Sequence, residues 1–324
     1  MHALSVLTAG AALLSGVVAH PHDMSAHEMT RRGGLSKRCE SSVAALNKRR
    51  WEKRNAMMNK RASSGNTTFT ITTEAPYYDV LQNDTCILTE DVTGGPYIWP
   101  QSQTLRQDIR EGEAGVPMIL DIGVLDVETC EPLPNVLVDI WHCNATGSYS
   151  SFTGLDPNTP FETLLEQLNV TIGPDLDLHT DDTTFLRGIW PTNSEGISEF
   201  TTIVPGFYVE RTIHIHVQVH ENYVIRGNGT VASSTTVSTG QIFIAEDQSA
   251  QLMALDPYAT HTEINRTTND IDSIYAGETA NGYDPTISIV PLDGENIENG
   301  VVGYITIGVD SATKRKMKRD LMKH

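Results

Sequence analysis

Lysine is absent between residues 62 and 310, where the only permanently basic side chains are Arg106, Arg110, Arg187, Arg211, Arg226 and Arg266. Thirty-six acidic residues share that stretch, leaving it a net charge of about −30 before any histidine ionises. A field of that sign repels nucleic acid and anionic lipid, so neither is expected as a partner. Cysteine is also scarce, with Cys39, Cys86, Cys130 and Cys143 the full complement. In an oxidising compartment these are expected to form two disulfides, with all three pairings open. If the runs "MILDIGVLDV" and "NVLVDIWH" formed a hairpin, Cys130 would sit near its turn and Cys143 near its far end, too far apart to bridge. Apolar runs of membrane length are missing after residue 18, and the C-terminal tail is basic, so no later span or lipid anchor is expected. Hydrophobic residues nonetheless make up 39% of 324, enough for a sizeable core.

Positive charge is concentrated at the two ends. Of the 23 Lys and Arg, eleven fall between His20 and Arg61 and six between Ser311 and His324. Ahead of them, Ala3 to Val18 is apolar and ends in small residues, the form of a signal peptide (residues 1–19) cut after Ala19. A secreted, extracellular protein is therefore expected. Six Asn-x-Ser/Thr sequons, at Asn66, Asn83, Asn144, Asn169, Asn228 and Asn265, agree with an exported glycoprotein. Residues 20–75 form a basic N-terminal segment with dibasic pairs such as Lys48-Arg49 and Lys60-Arg61. That pattern suits either a processed leader or an exposed amphipathic helix around "SSVAALNKRRWEKRNAMM". Residues 76–310 are left as the folded body and 311–324 as a solvated tail.

Within the body, short β-prone runs are punctuated by Gly, Pro, Asn and Asp. "VPMILDIGVLDV", "PNVLVDIWH", "ISEFTTIV", "RTIHIHVQVH", "GQIFIAE" and "VVGYITIGV" are the strand candidates. Their spacing predicts an all-β fold, a β-sandwich core with long loops and few short helices. "DPNTPFETLLEQLN" is the best helix, with Pro160 allowed in its first turn.

One strand candidate carries unusual chemistry. In "RTIHIHVQVH", Ile213, Ile215, Val217 and Val219 share one face while His214, His216 and His220 share the other. Two imidazoles at i and i+2 can reach one metal ion, whereas a lone pair of strand histidines is more often merely hydrogen-bonded. Two glycine-marked turns alter that balance: "WHCNATGSY" presents Tyr149 and "PGFYVER" presents Tyr208 and Arg211. Hard phenolate oxygens beside imidazoles favour a ferric ion over zinc or copper(I).

The stretches "DIWHCNATGSYS", "FLRGIWPTNSEGISEFTTIVPGFY" and "RTIHIHVQV", with "TGGPYIWPQSQTLRQDI" ahead of them, resemble the intradiol ring-cleavage dioxygenases, the group of catechol 1,2-dioxygenase and protocatechuate 3,4-dioxygenase. The order W-x5-G-x-Y, T-x3-G, P-G-x-Y, R-x2-H-I-H runs through roughly residues 86–250. The resemblance implies a non-haem Fe(III) bound by Tyr149, Tyr208, His214 and His216, with water or hydroxide completing the shell. It makes Tyr208 the axial ligand, opposite His216, that leaves and takes a proton when a catechol binds. It gives Arg211 the role of stabilising negative charge on the substrate ring, and Thr93, Gly95, Pro96 and Tyr97 the lining of the substrate pocket. The implied reaction is ring cleavage between the two hydroxyl-bearing carbons by O2, giving muconate-type diacids. "TNSEG" departs from the family's usual "TD" before the glycine, and the helical dimerisation region of catechol 1,2-dioxygenases has no evident counterpart, which leaves the oligomeric state open. The acidic body predicts a preference for neutral catechols over anionic ones. The alternative is a secreted β-sandwich that binds iron or an aromatic ligand without turnover, which would place no demand on all five of Tyr149, Tyr208, Arg211, His214 and His216.

Overall fold

The computed structural model describes residues 38–54, 56, 86–87, 95–99, 104–168, 178–227, 230–232, 235–279 and 284–310. Residues 1–19, expected as a signal peptide, the tail from residue 311, Thr93, and the sequons at Asn66, Asn83, Asn169 and Asn228 lie outside the described residues. The strands are β1 (Cys86–Ile87), β2 (Pro117–Asp126), β3 (Glu131–Pro132), β4 (Leu137–Trp141), β5 (Arg187–Pro191), β6 (Ile197–Ile203), β7 (His214–Glu221), β8 (Val224–Ile225), β9 (Val231–Ala232), β10 (Thr235–Ile244), β11 (Thr286–Pro291) and β12 (Val301–Val309). The helices are α1 (residues 38–54), α2 (Phe161–Leu168), α3 (Glu246–Met253) and α4 (Ser273–Glu278). No helix among the described residues is long and apolar enough to cross a membrane.

Ten strands form one curled, mixed sheet in the order β3-β2-β12-β11-β10-β7-β4-β5, with β6 on the free edge of β2 and β1 on β12. The expected sheet-rich fold with few short helices is present. Its form differs from two separate sheets because β11 serves both halves. Thr286 and Ile287 pair in parallel with Phe243 and Ile244 of β10, and the next four residues pair antiparallel with β12. The core lies inside the curl, where Leu120, Ile122 and Ile305 from one half meet Ile140, Ile215, Val217 and Ile242 from the other. β2 and β4 do not form the hairpin considered from the sequence. β2 lies between β12 and β6 whereas β4 lies between β5 and β7, because each is buried on both faces and needs two strand neighbours.

Alternation explains what covers the outer face of β2 and β12. Even-numbered residues of β2 and odd-numbered ones of β12 enter the core, which leaves Asp121, Gly123, Tyr304 and Thr306 on the far side. That side receives α1, the helix that is one of the two readings for this segment, and its inner face is docked and not exposed: Cys39, Val43, Leu46, Arg50 and Trp51 are all buried. Arg50 donates through Nε (3.1 Å) and Nη2 (2.8 Å) to Asp121 Oδ1, and through Nη1 to Asn47 Oδ1 and Thr306 Oγ1. Gly123 permits this, since a Cβ there would lie 2.9 Å from Arg50 Nη1. Cys39 is joined to Cys130, and Cys143 is a buried free thiol, so the expectation that Cys143 lies in a disulfide is also corrected.

Candidate metal centre

Two loops and one strand build the site. After β4 the chain turns at Asn144, whose Oδ1 accepts from the backbone N–H of Thr146 (3.1 Å) and Ser148 (3.0 Å), and delivers Tyr149. The Pro205-Gly206 turn delivers Tyr208, and the two loops lie in contact. A Cβ on Gly147 would collide with Phe207 O and one on Gly206 with Ala145 O, which is why both turns carry glycine. Arg211 then closes a tight turn on Tyr208, its N–H donating to Tyr208 O at 3.2 Å, and β7 begins at His214.

The four expected ligands converge. Around His214 Nε2 lie Tyr149 Oη at 3.4 Å, Tyr208 Oη at 3.2 Å and His216 Nε2 at 3.2 Å. Nδ1 of His214 is 2.7 Å from Thr212 O, a group that only accepts, so Nδ1 carries the proton and Nε2 presents a lone pair to the centre. Burial holds both imidazoles well below the usual histidine range, with Arg211 adding to the effect on His214 and His214 on His216, so both stay neutral. Burial also lifts the Tyr149 phenol well above its ordinary value and Tyr208 to about 12, the latter opposed by Arg211. The donors therefore form a neutral, dry cluster whose phenols ionise only if a strong positive charge is placed among them.

A metal ion fits this set. One lone pair cannot satisfy three polar atoms within 3.4 Å, but donors about 2.1 Å from a shared ion are spaced this closely. No group of three or more His, Cys, Asp or Glu that could hold a metal occurs among the described residues, so the two-His, two-Tyr set is the candidate. His220 is not part of it; it lies 3.7 Å from Asp139 at the other end of β7.

The surroundings distinguish the two tyrosines. Tyr149 is boxed in, its ring stacked on Tyr97 at 4.5 Å with the Arg187 guanidinium 6.0 Å from its centroid. Tyr208 carries Arg211 Nη1 at 3.4 Å from its Oη. Arg211 bonds Asp272 at 2.8 Å and Gln241 Oε1. Trp141 stacks on His216 at 4.9 Å, nearly parallel. The indole Nε1 of Trp141 and the amide Nε2 of Gln241 are buried donors without a partner among the described residues. Tyr97, Phe161 and Leu164 roof the cluster, and Trp99 stacks on His179 nearby.

Of the expected pocket lining, Tyr97 touches both tyrosines, Pro96 is half-buried in the same turn, and Thr93 lies outside the described residues. Gly95 lies against His216: with φ +72, a Cβ there would lie 3.3 Å from His216 Cε1. Gly95→Ala is accordingly expected to tilt His216 and weaken metal retention about tenfold, in the range seen when a supporting contact is lost. Metal content after dialysis against a graded chelator checks this.

Asp272 and Gln241 were missed from sequence. Gln241 is legible only as a polar residue inside the apolar run "GQIFIAE", opposite His216 in the β10–β7 register. Asp272 carries no local signal beyond being a helix N-cap.

The protein-family model for Dioxygenase (Dioxygenase_C) matches residues 95–226. Among solved structures, an intradiol ring-cleavage dioxygenase from Tetranychus urticae is 26% identical, covers 70% of this chain and 94% of its own, and superposes with a TM-score of 0.54. Hydroxyquinol 1,2-dioxygenase from Pseudomonas putida DLL-E4 is 17% identical, covering 68% of this chain and 66% of its own, with a TM-score of 0.39. A comparison with curated proteins gives no match.

Proposed function

We propose, for a chain that belongs to the intradiol ring-cleavage dioxygenases and is thereby an oxidoreductase, that Tyr149, Tyr208, His214 and His216 hold a non-haem Fe(III). We further propose that the substrate is a catechol-type phenolic, opened between its hydroxyl-bearing carbons with both atoms of O2 incorporated. Muconate-type diacids are the products. The observation that carries this reading is the convergence of three polar atoms within 3.4 Å of His214 Nε2.

When bound, the ferric ion supplies the Lewis acidity that keeps both phenols ionised and draws electron density from a chelated ring. The chain's own residues do the rest. Thr212 O fixes the His214 tautomer through its 2.7 Å bond. Tyr149 would be held in place by the stacked Tyr97 and the Arg187 guanidinium. Tyr208 Oη would take a catechol proton, and Arg211 Nη1, 3.4 Å from that oxygen, would steady the negative charge nearby. Tyr97, with Phe161 packed against it and Leu164 in the same buried cluster, would offer an apolar surface to an aromatic ring.

The protein is further proposed to be extracellular. The apolar N-terminus, the sequons and the Cys39–Cys130 disulfide support this. The acidic body supports neutral catechols as substrates over protocatechuate, and kcat/KM for catechol should exceed that for protocatechuate most at low salt. Equal ratios across salt concentrations would remove the electrostatic argument. The primary test is the visible spectrum of the purified protein before and after anaerobic addition of catechol. A broad tyrosinate band moving to longer wavelength is expected; a colourless protein with a full complement of iron would sink the four-ligand centre.

A further inference from the structure

Arg211 reaches Tyr208 because its other nitrogens are tied down elsewhere. Nε donates to Asp272 Oδ2 at 2.8 Å and Nη2 donates to Gln241 Oε1, which leaves Nη1 aimed at Tyr208 Oη. The Asp272 side chain is fully buried (0% exposed), and its carboxylate is saturated by donors. Oδ2 also accepts the N–H of Thr212 at 2.8 Å, while Oδ1 accepts those of Ile274 and Tyr275 at the start of α4. A carboxylate with four N–H partners has one orientation, and so does the guanidinium bonded to it. The same contact bears on His214, since the Thr212 carbonyl is the acceptor for its Nδ1. Asn269 strengthens the clamp by accepting from Thr212 Oγ1 at 2.6 Å. Gln241, Asn269 and Asp272 lie beyond the 95–226 match, Asp272 being 61 positions from Arg211.

We infer that Asp272 is a positioning residue for the ring-cleavage step, acting through Arg211. The inference rests on the ferric-site reading above. Asp272 touches neither the ligand atoms nor any substrate; it holds the guanidinium where charge develops, and a misplacement there of about an ångström is costly. Arg211 placed by Gln241 alone could swing about Nη2 and leave Tyr208.

The test is a double-mutant cycle on the iron-loaded protein, using Asp272→Asn, Arg211→Met and both together. In Asp272→Asn the side-chain oxygen can still cap α4, but the amide NH2 opposes Arg211 Nε–H and Thr212 N–H. The single variant is expected to keep its iron and resting visible band, to hold KM for catechol within about threefold, and to lose kcat about thirtyfold. Added to Arg211→Met, it should change kcat by less than about twofold, because the group it positions is gone. Asp272→Ser, which keeps a capping oxygen and nothing for Arg211, serves if Asp272→Asn does not fold. Losses of kcat that multiply in the double variant, that track lost iron, or that are absent altogether would overturn the inference while leaving the ferric reading intact. A wild-type protein that binds iron without colour and opens no ring would overturn both, starting with the reading of the site.

Discussion

Replacing His214 with alanine is expected to give a folded protein that no longer retains iron and whose ring-opening rate is reduced by more than about a hundredfold. The lower bound follows from what supporting contacts alone are worth at metal sites, about 10–100-fold, since a direct ligand must exceed its own support. His214 Nε2 is the atom that the other three donors face, so its loss removes the centre of the arrangement. The phenols of Tyr149 and Tyr208 would revert to the protonated state that burial already favours. Tyr149→Phe separates packing from ligation, because it keeps the ring stacked on Tyr97 and deletes only the oxygen. Iron content, the tyrosinate band and kcat should fall together in the first variant, while the second keeps its fold and loses part of the band. Stoichiometric iron with an unchanged band in the alanine variant would remove His214 from the ligand set.

The second large effect is on stability. Arg50→Met takes from the buried Asp121 the nearer of its two cations, leaving Arg54 Nη2 at 3.9 Å, a loss that costs about 3–5 kcal/mol. For a body of this size that is a fall of roughly 6–20 °C in Tm. Adding Asp121→Leu should recover much of it, since an apolar pair of similar volume can replace a buried ion pair at little cost. The variants also decide what residues 38–54 are. A removed leader would make Arg50→Met silent in the processed protein, whereas the docked α1, tied also by Cys39–Cys130 across 91 residues of chain, makes it one of the most damaging changes available.

Much of this was legible in the sequence where the determinant is local. β2, β4, β6, β7 and β12 follow apolar runs closely, and the Tyr149 and Tyr208 turns are marked by glycines whose necessity lies within a few residues. β5 and β11 were missed because they are short, polar at their ends and capped by proline. α1 has clear helical periodicity, yet its basic residues read as a solvated face because the partner of Arg50 is 71 positions away on β2. Asp272 and Gln241 were hidden for the same reason: only the tertiary fold brings them to Arg211. Nothing in "TISIVP" announces that one strand will serve both halves of the sheet, so the curl was not legible there.

The position of β12 has a bearing on biosynthesis. This strand, starting at Val301, lies parallel against β2 along its whole length and also pairs with β11. On the ribosome β2 emerges some 175 residues earlier, a gap of roughly ten seconds or more at ordinary elongation rates. β6 takes one edge of β2 during that wait, but the other edge stays open as a bare row of amides and carbonyls flanked by isoleucine, leucine and valine. The sheet therefore closes only once β12 has been made, and the nascent chain must be shielded at that edge until then.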